Sequence, residues 1–316
     1  MILQNQNCGM VICYKYSKKG PVRALVSGMY DVLNGFYLDI QISHISTSEN
    51  ELAKRNLSHL ETMGIDSPIL AVFDRGYPSL EFIDFLEAKG IHYLFRLSSN
   101  DYKKECGDMK SMDGFVNLMH TSARLGKIRK KHPESYERMK EKGETTARIS
   151  KSILPSGQEL ALLTNLPMEF TTGQLAGLYY RRWEIEKKYH TLKNKIKFEC
   201  VTGKASIYVY QDFYAQILVY NMVQDIRKCA DYEVETAEHQ KKVKYPLHTN
   251  ENIAIGLFKE VMIKILTEEN PAKKEKLLST LQSEMEEYVL PKRELSGHER
   301  RKNISNKYKN NQKNSF

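Results

Sequence analysis

The 316-residue sequence contains no run of eighteen or more apolar residues, so no stretch of it reads as a bilayer-crossing helix. Its Met-Ile-Leu-Gln start lacks the basic region and apolar stretch of a secretory signal. Membrane and secretion are therefore unsupported, and the cytoplasm is the expected location. Cysteine is scarce. The five cysteines, at 8, 13, 106, 200 and 229, form no C-x2-C pair and no Cys/His cluster with zinc spacing. That excludes a disulfide scaffold and a structural zinc, and it fits reduced thiols. Acidic residues are missing altogether from the first thirty positions.

What is present is a globular composition. A hydrophobic content of 41% can build a sizeable core, in one large domain or two smaller ones. The 48 basic and 39 acidic residues leave a formal charge of +9, which favours a polyanionic partner such as DNA.

One helix organises the chain. From about 174 to 196, LAGLYYRRWEIEKKYHTLKNKI shows helical periodicity, and at about 100° per residue Tyr179, Arg182, Glu186 and Lys193 share one narrow strip. Leu178, Ile185, Tyr189, Leu192 and Ile196 form the adjoining apolar stripe, so the strip runs along the edge of the face turned to the core. Glu186 is expected to be half-buried beside two cations. Thr171 with Gln174 reads as a capping box, preceded by a turn at Asn165 and Pro167.

Before this helix the pattern is that of an α/β protein. A strand at Met10 to Tyr16 and a turn at Ser17 to Pro21 lead into two strands, Val22 to Met29 and Phe36 to Ile45, joined by an Asn34-Gly35 hairpin. Alternation puts Asp39 on the polar face of the second, where it reads as a solvated strand residue. Ser48 and Glu51 suggest a capping box for a helix to about Met63, with Leu52, Leu57 and Leu60 inward. Pro68 to Phe73 is a short apolar run of the buried-strand type ending in Asp74, followed by the turn Arg75 to Ser79, a helix from Leu80 to Lys89 closed by Gly90, and a strand from Ile91 to Leu97. Strand, helix, strand implies a right-handed crossover in a parallel sheet, with functional groups at the carboxyl ends of the strands, where Asp74 sits.

Residues 98 to 150 are more polar, and Arg124 to Lys142 carries eight cations against three Glu with little apolar periodicity. Strands are expected at Thr145 to Ile153 and Glu159 to Thr164, turning at Pro155-Ser156-Gly157. Phe198 to Gly203 reads as a connector. Gln211 to Ala230 reads as a helix with Phe213, Ile217, Tyr220 and Ile226 inward. A polar loop is expected from Asp231 to Thr249, then helices from Glu251 to Leu266 and Pro271 to Val289. The tail from Pro291 to Phe316, with eight cations and two Glu, reads as disordered.

The pattern Tyr-x2-Arg-x3-Glu-x6-Lys, with Trp183 after the Arg and Ile185 before the Glu, resembles the Tyr-Arg-Glu-Lys (YREK) signature of one group of bacterial insertion-sequence transposases. Asp74-Arg75-Gly76-Tyr77 followed by a helix, Gly90 and an aromatic strand ending in Arg96 resembles the stretch around the second catalytic Asp of the same enzymes. The resemblance implies an α/β, ribonuclease H-like mixed-sheet core with a β-rich insertion that contacts DNA and a helical C-terminal part. The corresponding divisions are 1–97 and 171–230 for the core, 98–170 for the insertion, 231–290 for the helical region and 291–316 for the tail.

It further implies metal-dependent cleavage and strand transfer on double-stranded DNA, both terminal repeats and target, by a protein that is a homodimer when DNA-bound. Asp74 and Glu186 would be the catalytic carboxylates holding Mg²⁺ or Mn²⁺. Arg182 and Lys193 would contact phosphate, and Tyr179 and Trp183 would support them. The family's first Asp, on the opening strand of the core, has no counterpart in residues 1 to 30. Asp31 and Asp39 fall at the wrong places for it. The chain is thus expected to begin downstream of the usual amino terminus and to match roughly the last three quarters of such a transposase. That leaves two expectations: an active enzyme, or a truncated remnant that binds DNA or an intact relative without cutting.

Overall fold

The computed structural model describes residues 1–17, 20–196, 205–240 and 245–292, with side chains described at 1–2, 24–196, 205–237 and 245–292. The chain divides into two compact units, Met1–Lys228 and Cys229–Phe316.

The first unit is built on one eight-stranded sheet. Strands β1 (Ile2–Ser17), β2 (Gly20–Asp31) and β3 (Phe36–His44) form an antiparallel meander, tightened between β2 and β3 by Gly35 at φ 82°, a left-handed value that glycine adopts without strain. Helix α1 (Glu49–Glu61) leads to β4 (Leu70–Phe73), which lies parallel to β1 with Gln4 level with Val72. Helix α2 (Leu80–Ala88) carries the chain back to β5 (His92–Arg96), parallel to β4. The strand–helix–strand connection between parallel neighbours expected from sequence is therefore present, with Ser79 capping α2 by accepting a hydrogen bond from Phe82 N. The capping box expected at Ser48 is not formed: Ser48 stands at the N-cap of α1 with extended backbone, but its side chain makes no cap hydrogen bond.

Beyond β5 the structure departs from the expectation of an irregular basic stretch. Helix α3 (Lys103–Asp108), strand β6 (Asp113–Met119) and helices α4 (Ser122–Lys131) and α5 (Pro133–Lys142) precede β7 (Glu144–Ile153) and β8 (Glu159–Thr164). Arg124 to Lys142 thus lies in two helices. They are held to the core by few apolar side chains, Leu125, Ile128 and Met139 with Tyr136 partly buried beside them, which is why their periodicity is faint. Strands β8, β7 and β6 continue the core sheet antiparallel from β5, giving the order β3-β2-β1-β4-β5-β8-β7-β6.

The strands alternate faces. Phe73, Tyr93, Phe95, Ile149 and Leu163 point to the side covered by α1, α2, α4 and α5. Val72, Leu94, Leu160 and Leu162 point to the other side, against Leu175 and Tyr179 of α6 (Thr172–Tyr180). Val26, Tyr30, Tyr37 and Ile40 point the same way, against Ile185 and Tyr189 of α7 (Trp183–Thr191) and Val209, Phe213, Ile217 and Tyr220 of α8 (Ser206–Gln240). Both faces are covered, which accounts for the nearly continuous apolar runs of β4 and β5.

Two further expectations are corrected. The helix expected to run unbroken from about 174 to 196 is interrupted at Arg181 and Arg182 and ends in a π-helical turn, Leu192–Ile196. Helix α8 begins before Gln211 and runs to Gln240, so part of the expected loop from Asp231 to Thr249 is helical, and its last residues form β9 (Leu247–Thr249). In the second unit β9 pairs antiparallel with β10 (Val289–Pro291), flanked by helices α9 (Glu251–Thr267) and α10 (Pro271–Glu287). The connector at 198–203 and the tail beyond 292 lie outside the described residues.

Candidate active site

Asp74 follows the last residue of β4, at the carboxyl end of a parallel strand, and the sharp turn after it is made by Gly76 at φ 96°. Helix α6 arrives over the same strand end. It starts at the expected capping box: Thr171 Oγ1 accepts from Gln174 N at 3.3 Å, and Gln174 Oε1 accepts from Thr171 N at 2.8 Å. The turn leading into it is gripped by Arg148 of β7, whose side chain is fully buried. Arg148 donates to the Pro167 carbonyl at 2.5 Å, to the Phe170 carbonyl at 2.8 Å, and through Nε to Asp113 Oδ1 at 2.8 Å. Hydrogen bonding from Arg148 holds the Asp113 carboxyl below its ordinary range. Sequence reasoning missed this clamp. An Arg at an inward position of a strand signals a buried partner, but nothing in the spacing points to Asp113.

The break after α6 leaves Tyr179, Arg182 and Glu186 of the expected strip together beside Asp74. Tyr179 Oη donates to Asp74 Oδ1 at 2.8 Å. Arg182 Nη1 donates to Glu186 Oε1 at 2.6 Å and stands 3.7 Å from Asp74 Oδ2. The two carboxylate oxygens can therefore be no farther apart than these two distances laid end to end. Arg182 is 3% exposed, whereas Asp74 and Glu186 are 41% and 31% exposed, so a buried guanidinium underlies two carboxylates open to solvent. The guanidinium packs against the rings of Tyr179 and Trp183, with centroids at 5.6 and 4.6 Å, while Arg96 approaches the Tyr179 ring at 5.9 Å. Trp183 is 43% exposed. Lys193 lies half-buried on the π-helical turn beyond.

Burial pushes the Tyr179 hydroxyl up to about 12, reinforced by the charge and hydrogen bond of Asp74 and opposed by Arg182 and Arg96. Tyr179 therefore stays a donor at neutral pH. Burial alone would lower Arg182, but the hydrogen bond to Glu186 and the surrounding negative charge outweigh it and hold it above its ordinary value. Arg182 Nε is buried and has no hydrogen-bond partner among the described residues.

Asp31 and Asp39 take no part. Asp31 is 2% exposed, with Oδ1 accepting from Leu33 N and Asn34 N and Oδ2 accepting from Asn34 Nδ2. Asp39 bonds Gln41 and faces His59, 13% exposed rather than solvated as expected. It lies on edge strand β3, with β2 and β1 between it and β4. At about 4.8 Å per strand that is roughly 14 Å across the sheet. Among the described residues no group of three His, Cys, Asp or Glu side chains is placed to hold a metal. Two carboxylates do fit a hard divalent cation such as Mg²⁺, which is commonly held by one or two of them together with water and substrate phosphate.

An α/β sheet with a mixed acidic and cationic site at the carboxyl end of a parallel strand is the class so defined. The chain belongs to the transposase DDE domain family, whose model matches residues 14–222 and so includes Asp74 and Glu186. It is 28% identical over 204 residues to the transposase InsG for insertion sequence element IS4 of Escherichia coli (strain K12), an alignment covering 62% of this chain and 41% of that one. The chain thus spans about two fifths of the length of that relative. Among solved structures it is similar to a piggyBac transposase in a synaptic complex with hairpin DNA, at a TM-score of 0.45 and 12% identity, covering 95% of this chain and 59% of that one.

Proposed function

We propose that this chain is the catalytic part of an insertion-sequence transposase of the Tyr-Arg-Glu-Lys group, acting on double-stranded DNA by metal-dependent phosphoryl transfer. Its core would be ribonuclease H-like, a reading supported by the mixed sheet in which β1, β4 and β5 run parallel beside the β1-β2-β3 meander. The observation that carries the proposal is the meeting of Asp74 and Glu186, from distant parts of the chain, on the guanidinium of Arg182.

Asp74 and Glu186 would hold Mg²⁺ or Mn²⁺. When bound, such a cation stabilises the charge on the attacking and leaving oxygens of an in-line displacement. Tyr179 orients Asp74 by donating to Oδ1, which leaves Oδ2 turned to the Arg182 side. Arg182 would contact phosphate through its planar guanidinium fork. Lys193 would add a point charge to the DNA backbone, and Trp183 would hold Arg182 from one side. Terminal repeats and target would be the DNA partners, bound by a homodimer in the bacterial cytoplasm.

A second reading, a remnant that binds DNA or an intact relative without cutting, is favoured by one observation: no third carboxylate joins the pair among the described residues. Removing one of three ligands would weaken the hold on the cations and with it most of the electrostatic contribution to rate. The test is cleavage of a cognate terminal repeat in Mg²⁺ or Mn²⁺ by this chain and by Asp74→Asn and Glu186→Gln. Cleavage by the chain that each substitution abolishes supports the enzyme; DNA binding by the chain with no cleavage supports the remnant.

A further inference from the structure

Helix α7 carries Glu186 and, three residues on, Tyr189, whose hydroxyl comes down on the sheet at a glycine. A Cβ added to Gly28 of β2 would stand 2.7 Å from Tyr189 Oη and 3.0 Å from Tyr37 Cε1. Gly28 adopts an ordinary strand conformation and is buried, so the requirement is for space rather than for an unusual φ. The Tyr37 ring cannot move aside readily, because it is packed against Tyr30, Tyr189 and Tyr220 with centroids 5.1, 5.9 and 5.5 Å away.

We propose that Gly28 is a positioning residue for Glu186: its bare Cα is the seat that lets Tyr189, and with it α7, come close enough to the sheet for Glu186 to meet Arg182 and Asp74. This rests on the reading of Asp74 and Glu186 as a metal-holding pair. A methyl at position 28 falls about 0.8 Å short of the ~3.5 Å at which carbon and oxygen atoms normally touch. Because Tyr37 is held by its neighbours, the ring of Tyr189 must retreat, and the helix it belongs to moves with it. Glu186 lies within one turn of Tyr189, so the displacement is felt at its carboxylate. Losing a partner that orients a metal ligand lowers metal affinity about 10–100-fold, and a displaced α7 would act on Glu186 in the same way.

The experiment compares the whole chain with Gly28→Ala, Tyr189→Phe and the double variant, by Mn²⁺ titration and by emission of Trp183, the single tryptophan of the sequence, which sits at the first residue of α7. Gly28→Ala should bind Mn²⁺ roughly tenfold more weakly and shift the Trp183 emission in the native state. Adding Tyr189→Phe, which removes the clashing oxygen, should recover most of both. A residue important only for stability would lower the melting temperature and leave native emission and Mn²⁺ affinity unchanged, and that result overturns the proposal. If Gly28→Ala does not fold, it is made in a Tyr189→Leu background and compared with Tyr189→Leu alone. No further loss there supports the proposal, and loss or misfolding there overturns it. Failure of the unaltered chain to bind Mn²⁺ would instead sink the reading of the carboxylate pair, with Trp183 emission still deciding whether Gly28 seats α7.

Discussion

Arg182→Met removes the cation on which Asp74 and Glu186 meet while keeping most of the packed stem. The hydrogen bond from Nη1 to Glu186 Oε1, 2.6 Å long and ending on a carboxylate about a third exposed, contributes about 1.5–3 kcal/mol. The 3.7 Å approach to Asp74, which is 41% exposed, adds less than about 1 kcal/mol after solvent screening. Ring contacts with Tyr179 and Trp183 add about 0.5–1 kcal/mol each. A loss of about 3 kcal/mol corresponds, for a folding unit of this size, to a melting temperature lower by roughly 6–12 °C. The same guanidinium competes with any divalent cation for the two carboxylates, so the variant should bind Mn²⁺ more tightly than the parent. Mn²⁺ at a hundred times its Kd stabilises by about 2.7 kcal/mol, so it should restore most of the lost stability. Circular dichroism melts at pH 7 with and without Mn²⁺ measure both effects. A melting temperature within about 1 °C of the parent's, or weaker Mn²⁺ binding by the variant, would refute the reasoning.

Three other outcomes are expected. Asp113, held below its ordinary 3.8 by Arg148, contributes stability that is present above pH 3.8 and lost as pH falls through its folded value, so the advantage of the parent over Asp113→Asn should shrink on acidification. Denaturant titrations between pH 6 and 2 check this, and a constant difference would contradict it. Tyr179, raised from 10.0 to about 12, contributes stability that is full below pH 10.0 and lost as pH rises through about 12. The gap between parent and Tyr179→Phe should accordingly close over that alkaline range and stay level below it. Affinity for duplex DNA should fall steeply with added salt, because cation contacts to phosphate release counterions. Salt-independent binding, or none at low salt, would count against both the enzyme and the remnant.

Much of the site was legible because its signals are local. The apolar run ending in Asp74, the turn through Gly76 and the Thr171–Gln174 capping box are short-range patterns, and each is in place. The helical spacing brought Tyr179, Arg182 and Glu186 onto one side even though the helix breaks between Tyr180 and Trp183, because Arg181 and Arg182 keep right-handed helical backbone angles and Arg182 N bonds the Tyr179 carbonyl. What could not be read was long-range. The Arg148–Asp113 clamp joins strands through a contact that no periodicity encodes. The close fit of Gly28 to Tyr189 pairs a strand with a helix far along the chain. Helices α4 and α5 were missed because charge-dense helices anchored by so few apolar side chains leave almost no periodic signal. At Ser48 the capping residues are present without the cap, since extended backbone at the N-cap does not oblige the hydroxyl to turn inward.

The most direct test of the central claim, that Asp74 and Glu186 form one divalent-cation site, is calorimetric titration of Mn²⁺ into the chain and into Asp74→Asn and Glu186→Gln. Both substitutions keep size and remove charge. The account predicts that each variant loses the same binding event, weakened by at least about tenfold relative to the parent. Unchanged Mn²⁺ binding in either variant, or loss in only one of them, would contradict it.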